Sequence, residues 1–263
     1  MFTFAKTTLL LLALAGLTAC CAFRKETIPV VRVAPNASGI EIQKSEEHGP
    51  RSLMPFECAS LKDYPHAPSG VCLTLARQQA FHAADSELGS LEVVSLENPK
   101  RYFLLSDSIS QWKAILNGGK SAADLKQWLY QKQVSEIPWV NAGRGFHGKL
   151  RTHTYPWGKA ILFLTAYAQG KTGGALGNDM LVLTVQGLTH DGRYAVRGHF
   201  EIRHPKLPDS GDREKRKVYF DFDEESAKAG QWLDRQPDGS FRPTFAQYEA
   251  FLQALEIKPP RSR

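Results

Sequence analysis

The chain has 263 residues, of which 42% are hydrophobic and 23% are charged. A chain of this length and composition buries a sizeable core, which excludes wholesale disorder. The formal net charge of +6 is mild and spread along the chain. Its tightest basic cluster, Arg213 to Lys217, is interrupted by Glu214, so we interpret it as a solvated loop and predict no nucleic-acid partner.

The N-terminal residues predict the cellular location of the protein. Lys6 supplies a short positive region, and residues 9–17 form an apolar run that is too short to span a bilayer comfortably. Small residues then lead into a cysteine in Leu17-Thr18-Ala19-Cys20. The order is typical of a secretory signal, and its end resembles the bacterial lipoprotein signal. That resemblance implies a signal peptide over residues 1–19 and lipidation of the Cys20 thiol.

The residue after Cys20 bears on the choice of membrane. In bacterial lipoproteins an Asp at this position favours retention in the inner membrane, and here the position holds Cys21. The resemblance therefore favours a lipid anchor in the outer membrane, with the domain facing the periplasm. Whether Cys21 carries a second acyl chain or a thiol stays open.

Cys58 and Cys72 are the remaining cysteines, in a compartment that permits disulfides. A bond between them would close a loop of about fifteen residues, worth roughly 3 kcal/mol in the chain-entropy model. Neither lies in a recognisable nucleophile context. We therefore predict a disulfide between Cys58 and Cys72 in preference to a catalytic thiol.

Proline, serine and charged residues dominate the stretch after the anchor. This composition predicts a flexible tether over residues 20–50, in which only residues 28–33 resemble a strand that adds to a sheet edge. We expect residues 51–263 to form a single domain.

Hydrophobic periodicity and turn residues predict the elements of this domain. Residues 70–76 form a strand, residues 91–96 and 101–105 a hairpin, residues 108–116 a helix ended by Gly118-Gly119, and a second helix starts after Ser121. Residues 160–168 and 180–187 are strands, and His190-Asp191-Gly192 is a tight turn. The strand after it alternates, with Arg197, His199 and Glu201 on a face that we expect to be wet. Residues 217–222 add a strand, residues 224–233 a helix, and Thr244 with Gln247 caps the last helix.

This order of elements predicts the α+β class, with an antiparallel meander packed with helices. The run from Gly187 to Tyr194, the later His204-Pro205-Lys206-Leu207-Pro208 and the helix after Phe241-Arg242-Pro243 resemble a family of uncharacterised bacterial secreted and lipoprotein sequences. The family has a similar GxTxDGRY…HPxLP run, and the whole resemblance covers about residues 155–255. The resemblance implies a fold and no catalytic residues.

Motifs for catalysis fail their spacing tests. Gly118-Gly119-Lys120-Ser121 lacks the upstream glycine of a phosphate loop, and the chain has no Gly-x-Ser-x-Gly elbow. His199, Glu201 and His204 invite a metal site, but the pairing of opposite charges on an exposed strand explains them better. We predict no catalytic residues, no metal and no cofactor.

A recognition surface is the remaining prediction. Residues 141–157 form a loop-rich stretch that combines glycines with aromatics and cations, among them Arg144, His147, Arg151 and His153. The simpler interpretation is an irregular connection whose aromatic residues, Phe146, Tyr155 and Trp157, pack on the core. The strand face at Arg197, His199 and Glu201 is the second candidate. The sequence thus favours a non-enzymatic binding protein, such as an immunity or inhibitor lipoprotein with a protein partner in the envelope. The alternative is a hydrolase acting on cell-wall or lipid substrates.

Overall fold

The computed structural model describes residues 27–34, 38–48, 51–52, 66–67, 69–77, 87–99, 105–119, 121–132, 134–137, 143–168, 176–209 and 222–260. Within them a seven-stranded antiparallel sheet packs with four α-helices, so the α+β class is confirmed. The signal peptide, Cys20, Cys58 and residues 217–221 of a predicted strand lie outside the described residues. The lipidation and the disulfide therefore stay predictions.

The elements have the following bounds. The strands are β1 (Val30–Val33), β2 (Ile40–His48), β3 (Arg51–Ser52), β4 (His66–Ala67), β5 (Gly70–Arg77), β6 (Glu87–Ser95), β7 (Gly143–Arg144), β8 (Gly148–Tyr155), β9 (Gly158–Thr165), β10 (Tyr167–Ala168), β11 (Val182–Thr189), β12 (Tyr194–Glu201) and β13 (Leu255–Lys258). The helices are α1 (Leu105–Asn117), α2 (Ala122–Lys132), α3 (Phe222–Asp234) and α4 (Phe245–Gln253), with a short 3₁₀ turn at Asp238–Ser240.

The seven-stranded sheet has the order β2-β5-β6-β12-β11-β9-β8. The predicted meander is confirmed in β9, β11 and β12, which pair in that order. Strand β8 pairs with β9 and extends the meander, in a stretch that was predicted to be loop-rich. Gly192 takes a φ of +66° in the tight turn between β11 and β12, a conformation that favours glycine. Beyond the meander, β12 pairs with β6, which places the first half of the chain beside the second.

Helices cover parts of both faces of the sheet. On one face, α3 and α4 pack on the larger core through side chains such as Leu233, Tyr248 and Phe251. On the other face, α1 and α2 contribute Trp112, Ile115 and Leu129 to a second core. The second core includes Ala195 of β12, so the expectation of a wet face along this strand is wrong over that part.

The prediction of a tether over residues 20–50 is wrong for residues 40–48, whereas the strand expected within residues 28–33 is present as β1. Val30–Val33 pairs with Leu255–Lys258 at the other end of the domain. Ile40–His48 forms an edge strand of the main sheet, with Ile40 buried. Residues 40–48 were predicted to be a linker because they are rich in charged residues. An edge strand with one solvated face is also rich in charged residues, so composition does not distinguish the two.

The predicted hairpin of residues 91–96 with residues 101–105 is also corrected. Both edges of β6 are occupied, one by β5 and the other by β12. Leu105 begins α1, and residues 101–104 lie outside the described residues. The two helix starts were predicted well: the Ser121 hydroxyl accepts from the Asp124 N–H at 3.2 Å, and Thr244 with Gln247 forms a capping box.

Candidate functional site

Four of the predicted binding residues converge on the sheet face that carries α1 and α2. They are Arg144, His147, Arg197 and His199, and each interacts electrostatically with the buried carboxylate of Glu136. We call the group formed by Glu136, Tyr167, His199, Arg144 and Arg197 the Glu136 cluster. It combines residues from three strands and one loop, so proximity in sequence does not reveal it.

The loop that carries Glu136 is held on both sides of that residue, by the sheet on one side and by α1 on the other. Gln186 of β11 accepts from the Ile137 N–H at 2.9 Å and donates to the Ile137 carbonyl at 3.3 Å. The Trp112 indole donates to the Ser135 carbonyl at 2.8 Å. Val134 and Ile137 are fully buried. The apolar anchors and backbone hydrogen bonds thus fix where the Glu136 carboxylate lies.

Both oxygens of Glu136 have partners. The Tyr167 hydroxyl donates to Oε1 at 2.5 Å, and His199 Nε2 lies 2.9 Å from Oε2. Tyr167 is further held by the Thr184 hydroxyl at 2.9 Å. Arg144 Nη1 lies 4.0 Å from Oε1. A buried carboxylate requires such compensation, because an unpaired charge in the interior is very costly.

The electrostatics agree with this arrangement. Burial alone would raise the pKa of Glu136, but the hydrogen bond from His199 and the charges of His199, Arg144 and Arg197 lower it to about 2. Burial and the neighbouring Glu136 charge raise the pKa of Tyr167. At neutral pH Glu136 is therefore an anion and Tyr167 a neutral hydrogen-bond donor.

The two arginines of the Glu136 cluster are mostly buried and contact other groups of the protein. Arg144 has a side chain only 12% exposed, and its guanidinium donates to the Val134 carbonyl and lies 5.9 Å from the Phe163 ring centre. Arg197 is 13% exposed and forms an ion pair with the buried Glu92. The prediction that Arg144 lies on an exposed recognition loop is therefore wrong. We expect Arg144→Ala to destabilise the domain, because it leaves Glu136 with less compensation.

His147 is buried as well, with its ring centre 5.1 Å from that of Phe163. Its Nε2 has no hydrogen-bond partner among the described residues. Burial and the charges of Arg144 and Lys126 lower the pKa of His147 to about 3, so the ring is neutral. His147 therefore belongs to the interior and was wrongly predicted to face a partner.

Arg151 and His153 lie apart from the cluster, on the edge strand β8. Arg151 forms ion pairs with Asp238 at 2.9 Å and Glu249 at 3.2 Å, and its guanidinium lies 4.2 Å from the Phe245 ring centre. His153 Nε2 lies 3.4 Å from the same Glu249 carboxylate. Both side chains are partly exposed. They remain available to a partner.

The remaining candidates occupy the end of β12. Glu201 pairs with the exposed Arg203. His204 has its Nε2 3.0 Å from the Ser240 hydroxyl, and its backbone N–H donates to Asn178 at 2.8 Å. In the part of the chain that the structure describes, no group of three His, Cys, Asp or Glu side chains is arranged to hold a metal ion.

Sequence reasoning missed Glu136, Tyr167 and Glu92. The sequence offered a clue to Glu136, because it lies between the apolar residues Val134 and Ile137 in a short non-helical segment. When such neighbours are buried, the carboxylate between them is buried too. Glu92 had such a clue too, since it lies within the apolar run Leu91 to Leu96. Tyr167 had none that distinguishes it from a core aromatic.

Comparison with known proteins adds no family to these observations. No protein-family model matches the chain, and no significant match exists among curated proteins or solved structures. No described helix is long and apolar enough to cross a membrane.

The buried His147 predicts a pH dependence of stability. The unfolded chain takes up a proton near pH 6.5, whereas folded His147 takes it up only near pH 3. Between these values the unfolded state binds more protons, so the free energy of unfolding falls as the pH falls. From pH 6.5 to 4.5 the loss is about 2 kcal/mol. Urea unfolding at several pH values measures it.

The control for this prediction is His153→Gln, at a partly exposed histidine. We expect His147→Gln to flatten the decline between pH 6.5 and 4.5 and His153→Gln to leave it unchanged. Equal slopes for wild type and His147→Gln would show that this residue is not buried in its neutral form.

Proposed function

We propose that this chain is a bacterial envelope lipoprotein, anchored through Cys20 in the outer membrane and facing the periplasm, whose domain binds a protein partner without catalysing a reaction. An immunity or inhibitor protein that blocks a toxin or a wall-degrading enzyme is the subclass that fits. The signal sequence supports the proposed location in the bacterial envelope. The surface left free by the internal charge pairs supports the binding role.

The Glu136 cluster favours a structural role for most of its charges. Glu136 is satisfied by Tyr167 and His199, and Arg197 pairs with Glu92. Groups that neutralise one another in the interior stabilise one arrangement of loop and sheet, and they offer little to an external ligand. Arg151 and His153, the predicted binding residues that remain partly exposed on β8, are better placed to contact a partner.

The single observation that carries the proposal is the outer edge of β8. This strand ends the seven-stranded sheet, and within the described ranges no strand lies beyond it. Thr152 and Thr154 are exposed there. An edge strand presents unpaired N–H and C=O groups, which bind an extended segment of a partner by strand addition.

The side chains of β8 are ordered before any partner arrives. Arg151 is held between Asp238 and Glu249, and Lys149 reaches Asp238 at 3.0 Å. The Lys149 backbone N–H donates to Asp234 of α3 at 2.6 Å, which secures the start of the strand. A preordered surface loses less conformational entropy on binding. The edge from Arg151 to Tyr155 is thus a prepared recognition element.

Lysines on the edge strand test this proposal. The double change Thr152→Lys and Thr154→Lys should lower partner capture from envelope extract at least tenfold, because charged edge residues oppose strand addition. The melting temperature should stay within a few degrees, since both positions are exposed. Affinity pull-down with quantitative mass spectrometry measures the capture.

The matched control is Gln231→Lys with Gln253→Lys, which adds the same charge at exposed helix positions. A partner retained by wild type and control but lost by the edge variant supports the proposal. Equal recovery by all three proteins, or recovery of nothing by wild type, would contradict binding through β8.

A hydrolase is the second candidate, favoured by one specific arrangement. His199 is oriented by Glu136 and is 26% exposed. Ser90 of β6 lies directly opposite His199 in the strand register and is partly exposed. Residues opposite each other on one face have Cβ atoms about 5 Å apart. Ser90, His199 and Glu136 are then candidates for the nucleophile, base and orienting carboxylate of a serine hydrolase, in which Nδ1 of His199 would face Ser90 because Nε2 lies 2.9 Å from Glu136.

Ester hydrolysis decides between the two candidates. With a short-chain p-nitrophenyl ester, the binding proposal predicts the same slow rate for wild type, Ser90→Ala and Thr74→Ala, where Thr74 is the neighbour of Ser90 on β5. A wild-type rate at least a hundredfold above that of Ser90→Ala, with Thr74→Ala unaffected, would establish the hydrolase and overturn the non-enzymatic proposal.

A further inference from the structure

A small cavity of about 130 Å³ lies at one end of the main sheet. It is bordered by the end of α1, by the start of β9, and by the end of β11 with the turn that follows it. Its lining residues include Lys113, Asn117, Lys159, His190 and Gly192. The volume suits a single phosphate-sized group and is too small for a polymer segment.

Two ammonium groups border this cavity. Lys159 donates to the Asn117 side-chain carbonyl at 3.3 Å. The Lys113 ammonium lies over the turn, because Lys113 Nζ is 3.8 Å from the position that a Cβ on Gly192 would occupy. Among the described residues neither lysine forms an ion pair with a carboxylate. The carboxylate of the turn, Asp191, accepts from the Thr189 hydroxyl at 2.6 Å and the Arg193 N–H at 3.0 Å.

The first described residue of the chain is fixed beside this end of the sheet. The Thr27 N–H donates to Glu97 Oε2 at 2.9 Å, and the Thr27 hydroxyl donates to Glu97 Oε1 at 2.7 Å. Arg193, which follows Gly192 in the turn, donates to the same carboxylate at 2.9 Å. Thr27 and the cavity are therefore neighbours across Glu97 and Arg193.

The covalent distance to the anchor is short. Only residues 21–26 separate Cys20 from Thr27. Seven Cα–Cα steps of at most about 3.6 Å span no more than about 25 Å. A chain acylated at Cys20 therefore keeps this end of the sheet close to the lipid headgroups.

We propose that the cavity binds the phosphate of an anionic glycerophospholipid headgroup and so holds the domain with this end against the membrane. The inference rests on the proposed anchor at Cys20, because the anchor delivers the cavity to the bilayer. Lys113 and Lys159 supply charge, and the turn at Gly192 allows close approach. Lysines near an anionic membrane surface each contribute roughly fivefold in affinity.

The experiment uses the mature protein, purified in a nonionic detergent and titrated by calorimetry with three probes. The probes are dihexanoyl phosphatidylglycerol, dihexanoyl phosphatidylcholine and inorganic phosphate. The cavity variant carries the double change Lys113→Gln and Lys159→Gln. The matched control carries the double change Lys206→Gln and Lys228→Gln, which removes the same charge elsewhere. The intact mass of each preparation reports acylation of Cys20 separately, so failure of the anchor and failure of the site give different readouts.

We expect saturable binding of phosphatidylglycerol to wild type and to the control, and about thirtyfold weaker binding to the cavity variant. Phosphatidylcholine and inorganic phosphate should bind at least tenfold more weakly. Inorganic phosphate binding as tightly as phosphatidylglycerol would overturn the headgroup assignment. So would equal weakening in the control variant, or no binding of any probe.

Discussion

The pairing of the two ends of the domain constrains everything else about this protein. Val30–Val33 pairs with Leu255–Lys258, and the Thr27–Glu97 hydrogen bonds continue the attachment toward the N-terminus. A tether of about thirty residues would allow every orientation at the membrane, whereas six residues between Cys20 and Thr27 allow few. The fold thereby determines which end of the sheet an anchor at Cys20, as proposed, would reach.

A second constraint is the buried charge of Glu136, which assigns roles to the polar side chains around it. His199 and Tyr167 satisfy its oxygens, and Arg144 and Arg197 add positive charge. Removing one member leaves the others uncompensated, so this group specifies how the loop docks on the sheet. The proposed recognition element is the edge of β8, where Arg151 and His153 stay partly exposed.

The sequence predicts local features of this fold well and distant ones poorly. Capping at Ser121 and Thr244 and the turn at Gly192 depend on neighbouring residues, so they were visible. The strand Ile40–His48 was missed because its stability comes from pairing with β5, whose partner residues lie 22 to 37 positions further along the chain. Alternation placed Arg197 and His199 on one face, yet their burial depends on Glu136 and Glu92, which only the tertiary structure brings to them.

Photo-crosslinking to lipid tests the central claim that this end of the sheet faces the membrane. A photoreactive amino acid is placed at Asn117, beside the cavity, or at Gly239, where added atoms meet no neighbour. Gly239 belongs to the turn that Lys149 and Arg151 hold at the other end of β8. In the acylated protein on vesicles, the account predicts lipid adducts at Asn117 and few at Gly239. Equal labelling at the two positions, or the reverse preference, would contradict it.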